Sequence, residues 1–101
     1  MTNFDKFKAE QLKDPVFKAE YQRATAELDV AFKLLEARNG VNVSQEELAQ
    51  RTGIPQSNLS RLESGKHSPT VAMLQKIATG LDCTLHIEFR KNQDEPSVTY
   101  N

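Results

Sequence analysis

The sequence predicts an all-α domain of five helices, with a leading helical extension and one trailing β-strand. Three observations carry this expectation. An apolar stripe recurs at helical spacing from Phe17 to Leu35, cap and terminator residues crowd residues 44–80, and after Asp82 the apolar period drops from about 3.6 residues to 2.

The first long helix opens at Asp14-Pro15, a capping carboxylate followed by a residue whose missing N–H costs nothing in the first turn. Gly40 closes it. Between them Phe17, Tyr21, Ala24, Leu28, Ala31 and Leu35 form one stripe, widened by Phe32 and Leu34. Before Pro15, the residues Phe4, Phe7 and Leu12 suggest a short amphipathic segment. Ser44-Gln45-Glu46-Glu47 reads as a capping box, with Ser44 receiving the amide of Glu47 and Glu47 reaching back to that of Ser44. The helix it starts runs to about Thr52, Gly53 permits a left-handed turn, and Pro55 opens a second short helix closed by Gly65. Ser68-Pro69 repeats the cap-plus-proline start for a helix carrying Val71, Leu74, Ile77, Ala78 and Leu81. Cys83, Leu85, Ile87 and Phe89 then alternate with polar residues, which predicts a strand over 83–90 with one buried face. That strand has no mate in the chain, so it should pair with another chain or lie against the helices.

The resulting division is an extension over 1–27, a domain over 28–82, the strand over 83–90 and a flexible tail over 91–101. With 101 residues, 38% of them hydrophobic and 27% charged, the chain can bury one modest core, and a deep catalytic cleft is not expected. The beginning, Met1-Thr2-Asn3-Phe4-Asp5-Lys6, lacks the pattern of a secretion signal, and no apolar run reaches the roughly 18 residues of a membrane span. A cytoplasmic protein is expected. The lone Cys83 excludes an intramolecular disulfide and reads as a small buried hydrophobe. His67 and His86 lie apart without a Cys or carboxylate cluster, so neither a metal nor any other cofactor is anticipated. Ser57, Ser60 and Ser64 have no nearby base, which argues against nucleophilic catalysis and against an enzyme.

The 13 basic and 14 acidic side chains leave a net charge of −1, and no portion of the chain is a basic tail. This argues against holding nucleic acid by bulk electrostatics. Residues 44–65 nevertheless have the logic of a helix-turn-helix. Leu48, Ala49, Ile54, Leu59 and Leu62 make a small seam. Rotation of about 100° per residue then turns Ser57, Ser60, Arg61 and Ser64 outward, with Gln56 at the helix start. Gln and Arg can address adenine and guanine through paired hydrogen bonds, and short serines allow close approach.

The run from Leu48 to Lys66, with Ser68-Pro69 and Leu74 to Ala78, resembles the phage-repressor (Xre/Cro) family and implies a lambda-repressor-like fold. The resemblance implies base contacts by Gln56, Ser57 and Arg61, and phosphate contacts by Ser44, Gln45, Ser60 and Lys66. Pro55 departs from the capping Ser or Thr of many members. The Asp14-Pro15-Val16-Phe17 opening, the Tyr21 helix running into Leu35-Glu36-Ala37-Arg38, and the 85–89 segment are together similar to HigA-type antitoxins. That similarity implies a homodimeric repressor of double-stranded operator DNA that also neutralises a RelE/HigB-like ribonuclease toxin. Phe4, Phe7, Phe17 and Tyr21 are candidates for the partner interface, though they could instead fold back to complete the core. Leu85, Ile87 and Phe89 are candidates for a dimer strand. An ordinary repressor without a toxin, or a protein-binding adaptor on the same fold, are the competing readings. Glu63 is expected to hold local structure.

Overall fold

The computed structural model describes residues 2–92. Five helices account for its regular structure: α1 (Asn3–Gln11), α2 (Pro15–Gly40), α3 (Gln45–Thr52), α4 (Gln56–Glu63) and α5 (Val71–Gly80). α2 begins and ends where its signals place it, with the Asp14 carboxylate accepting from the Val16 amide at 2.9 Å. The boundary between residues 27 and 28 falls inside this helix, so extension and domain share one rod about 39 Å long.

The core is formed where the second half of α2, α3, α4 and α5 meet. Leu48, Leu59 and Leu62 are its fully buried side chains, joined by Leu34, Val43, Ile54, Ile77 and Leu81. The α3–α4 turn is closed locally: Gly53 takes φ 77°, its amide donates to Ala49 O at 2.9 Å, and the Thr52 hydroxyl accepts from the Ile54 amide at 3.1 Å. That left-handed φ is one only glycine adopts without strain. Gly65, at φ 76°, ends α4 under α2, where a Cβ would stand 2.7 Å from Leu28 Cδ2. Arg51 ties α3 to the end of α5 by donating to Gly80 O at 2.9 Å.

Several expectations are corrected. The α2 stripe reaches the core along one edge only. Only Ala31 and Leu34 of α2 are buried, about 60° and 120° around the helix from Leu28, whereas Leu28 and Phe32 are 59% and 64% exposed. α4 meets α2 where Leu34 packs in the cluster with Leu59 and Leu62 and Arg38 pairs with Glu63. The capping box at Ser44 is half formed: Ser44 Oγ accepts from the Glu47 amide at 3.0 Å, but the Glu47 carboxylate pairs with Arg51. The cap of α5 is Thr70, whose hydroxyl accepts from the Met73 amide at 3.1 Å, and the Ser68 hydroxyl donates instead to the Glu27 carboxylate.

The expected strand is absent among the described residues. Beyond the Cys83 amide, which donates to Ala78 O at 2.8 Å, no backbone–backbone hydrogen bond is made there. A strand needs a ladder, and no second extended segment is at hand to supply one. Leu85 is consequently half-buried, Ile87 exposed and Phe89 fully exposed. Cys83 is exposed as well, because Asp82 at φ 57° turns the chain at the end of α5. Lys91 and Asn92 are exposed and irregular, and the rest of the anticipated tail lies outside the described residues.

α1 has no buried residue. It is capped by a reciprocal pair, Asp5 N–H to Thr2 Oγ1 and Thr2 N–H to Asp5 Oδ2, both at 3.1 Å. Lys8 Nζ sits 4.8 Å from the centre of the Tyr21 ring, which stacks on Phe17 with centroids 6.2 Å apart. Leu59→Ala should lower the free energy of unfolding by about 2–5 kcal/mol in urea titration, whereas Phe32→Ala should change it by no more than about 0.5 kcal/mol.

Candidate nucleic-acid interface

α4 is a short helix with sharply divided faces. Leu59 and Leu62 are sealed in the core, which leaves Gln56, Ser57, Ser60 and Arg61 on the outward surface, all exposed. The Pro55 carbonyl accepts from the Asn58 and Leu59 amides at 2.9 and 3.2 Å, so the helix starts without a side-chain cap. The first residues of α3 and α4, Gln45 and Gln56, are joined by a bond from Gln56 Nε2 to Gln45 Oε1 at 3.3 Å.

This pair is the end of a longer relay. Arg38 on α2 donates from Nε and Nη2 to the two carboxylate oxygens of Glu63 on α4, at 2.7 and 2.8 Å, and from Nη1 to Val43 O at 3.0 Å. Glu63 Oε1 also accepts from Gln45 Nε2 at 3.2 Å. The two charged side chains are only 13% and 8% exposed. The Glu63 hydrogen bonds raise the Arg38 pKa further above its ordinary value and outweigh the opposing effect of burial, so the guanidinium stays charged.

Polarity passes along the relay. An ionised carboxylate only accepts, so Gln45 must turn its NH2 toward Glu63 and its oxygen toward Gln56. Gln56 therefore gives one N–H to Gln45 and keeps its other N–H and its oxygen outward. That is the donor–acceptor pair that matches the N7 and N6 edge of adenine. The Ser44 hydroxyl, accepting from Glu47, retains its proton for a phosphate oxygen, and Gln45 retains one N–H.

Among the described residues Arg61 and Lys66 take part in no ion pair, while Arg51 is committed to Glu47 and Gly80. The candidate base-contacting residues thus lie on the exposed side of α4 together with Ser60; the half-buried Gln45, beside Ser44, is tied to them through Gln56, and Lys66 follows α4 with its amide donating to Arg61 O at 3.3 Å. Phe4, Phe7, Phe17 and Tyr21 lie elsewhere, on α1 and the first half of α2. The relay through Arg38 was not anticipated. Its only sequence signal was Glu63, the one acidic residue of α4.

Residues 34–87 match the helix-turn-helix family model HTH_3. The chain is 42% identical over 55 residues to the HTH-type transcriptional regulator SutR of Escherichia coli K12, covering 54% of this chain and 30% of SutR. It is 32% identical over 63 residues to an uncharacterized HTH-type transcriptional regulator of Archaeoglobus fulgidus, covering 62% of this chain and 89% of that protein. The crystal structure of an HTH_3 family transcriptional regulator from Vibrio cholerae superposes with a TM-score of 0.59 at 34% identity, over 61% of this chain and 35% of the other. The chain thus spans about a third of the length of SutR and of the Vibrio cholerae protein.

Glu63→Ala strands a buried guanidinium and should cost about 3–5 kcal/mol in chemical denaturation. The double change Arg38→Met with Glu63→Leu should lose much less, because both buried charges leave together.

Proposed function

The chain belongs to the helix-turn-helix family, and from that premise we propose that it is a cytoplasmic, sequence-specific transcriptional repressor that binds a near-palindromic operator as a homodimer. The observation that carries this reading is α4: one face is locked in the core, and the other presents Gln56, Ser57, Ser60 and Arg61 without competing intramolecular charge partners. In the proposed complex α4 lies in the major groove, Gln56 addresses adenine, Arg61 addresses guanine, and Ser57 lies close to the base edges. Ser44, Gln45, Ser60 and Lys66 hold the backbone on either side. Two copies place their α4 helices about 34 Å apart, one turn of duplex. The role is binding rather than catalysis.

Within this class we favour the antitoxin of a toxin–antitoxin pair that also represses its own operon, with a RelE/HigB-like ribonuclease as partner. What supports this is the α1–α2 arm. Phe4 and Phe7 are exposed on a helix that contributes nothing to the core, next to the stacked Phe17 and Tyr21. Aromatic side chains left on a rigid helical surface are the usual anchors of a protein interface.

Arg61→Ala should weaken binding to the DNA upstream of the chain's own gene by about 1–3 kcal/mol and relax discrimination at one base pair, measured by fluorescence anisotropy across a set of substituted sites. Unchanged affinity would remove Arg61 from the interface. Deletion of residues 1–13 should leave that affinity intact while abolishing co-purification with the product of the adjacent gene. Full retention of the partner would place its interface elsewhere.

A further inference from the structure

The segment after α5 carries two properties with no use inside one chain. Its backbone from residue 84 onward makes no backbone–backbone hydrogen bond among the described residues, and its odd-numbered side chains are increasingly uncovered: Leu85 is half-buried, Ile87 is 55% exposed and Phe89 is fully exposed. The segment is already extended. Arg90 Nη2 contacts both Glu88 oxygens at 3.1 Å, and residues two apart meet this way when they project from the same side of an extended chain. Residues 83–88 of the segment, both odd- and even-numbered, border a groove of about 820 Å³ whose other walls are α2 and α5, and Val30, Ala37, Val71 and Leu74 there make it a match for the apolar Leu85 and Ile87 rather than for His86 and Glu88.

We propose that residues 84–90 pair with the same residues of a second copy as a two-stranded antiparallel ribbon centred on Ile87, its apolar side laid over the α2–α5 groove of each copy. The proposal rests on the homodimer reading above and adds to it a surface and a register.

The register follows from the side chains. Antiparallel pairing about Ile87 sets Ile87 against itself and Leu85 against the second copy's Phe89, all on the groove side. On the other side it sets His86 against the second copy's Glu88, twice by symmetry, so an imidazole N–H donor faces a carboxylate acceptor. The other centres are worse. Centring on His86 opposes two imidazoles, and centring on Glu88 opposes two carboxylates. Centring on Phe89 puts Ile87 against Lys91, and centring on Leu85 leaves Phe89 with only the end of α5 to face. Pairing midway between residues would set apolar against polar side chains throughout. A two-fold axis through the ribbon keeps both sets of apolar side chains on one side, so one ribbon covers both domains.

The test is position-specific cross-linking of the full chain in a Cys83→Ser background. Residues directly opposite in an antiparallel pair have Cα atoms about 4.5–5.5 Å apart, within the reach of a disulfide. Under a glutathione redox buffer, Ile87→Cys should give mostly covalent dimer. Leu85→Cys and Phe89→Cys should each give almost none alone and a covalent dimer when mixed. Glu88→Lys should weaken dimerisation about tenfold in analytical ultracentrifugation, and adding His86→Glu should restore it. Equal cross-linking at the three positions, or no restoration by the double change, would overturn the register. A dimer in sedimentation with no cross-link at residue 87 would overturn the ribbon while leaving the homodimer reading standing. Monomers alone would overturn both, and neither result bears on DNA contact by Arg61.

Discussion

Arg38 and Glu63 are the only oppositely charged side chains paired at such low exposure among the described residues, and most of what is specific to this fold passes through them. Three short helices could pack their leucines in more than one relative rotation. A two-point guanidinium–carboxylate bond accepts few of these, because both N–H···O vectors must align at once. By binding Val43 O as well, Arg38 also holds the loop that leads into α3. The pair is better regarded as a device for geometry than as a source of stability, since two charges removed from water recover little net energy.

The geometry it enforces reaches the outer surface. Glu63 accepts from Gln45, Gln45 accepts from Gln56, and each bond is possible in one polarity only. An exposed Gln on a helix would otherwise sample rotamers and lose entropy on binding. Here its amide is oriented before DNA arrives, so part of that ordering is already complete. The near-neutral chain makes this matter. With a net charge of −1, and with Arg51 turned to Glu47 and Gly80, Arg61 and Lys66 are the cations at and just after α4 that make no ion pair among the described residues. So little unpaired positive charge limits non-specific affinity for nucleic acid and leaves discrimination to a few well-held side chains.

Besides Leu28, Phe32, Leu35, Val41 and Val71 around the core, two further groups of apolar side chains are exposed, one toward each end of the chain. α1 and the first half of α2 carry exposed aromatics beyond the reach of the core, and the segment after α5 carries Ile87 and Phe89 outside it. Neither group contributes to the packing around Leu48, Leu59 and Leu62. Surface of this kind on a small domain marks association. The two ends lie on different elements, which allows one to serve self-association and the other a different partner.

Local signals determined the helices. Asp14-Pro15, Ser44, Gly53, Pro55 and Gly65 act within one turn of their own positions, so their effects can be read without knowing what lies across the core. Leu59 and Leu62 likewise fix which face of α4 is outward, because the choice depends only on the helical period. Ser68-Pro69 does not cap α5: the Ser68 hydroxyl donates to Glu27, 41 residues away in sequence, and Thr70 supplies the cap. The α2 stripe reaches the core along one edge only, because periodicity shows that a helix has an apolar face, not which neighbour will cover it. The strand does not form among the described residues because a ladder needs a second edge and none of them offers one. Sequence alone therefore determined the elements, the turn and the outward chemistry of α4. Only the tertiary structure decided that Arg38, Glu63, Gln45 and Gln56 form one relay, because those residues are brought together by packing between helices rather than by spacing along any one of them.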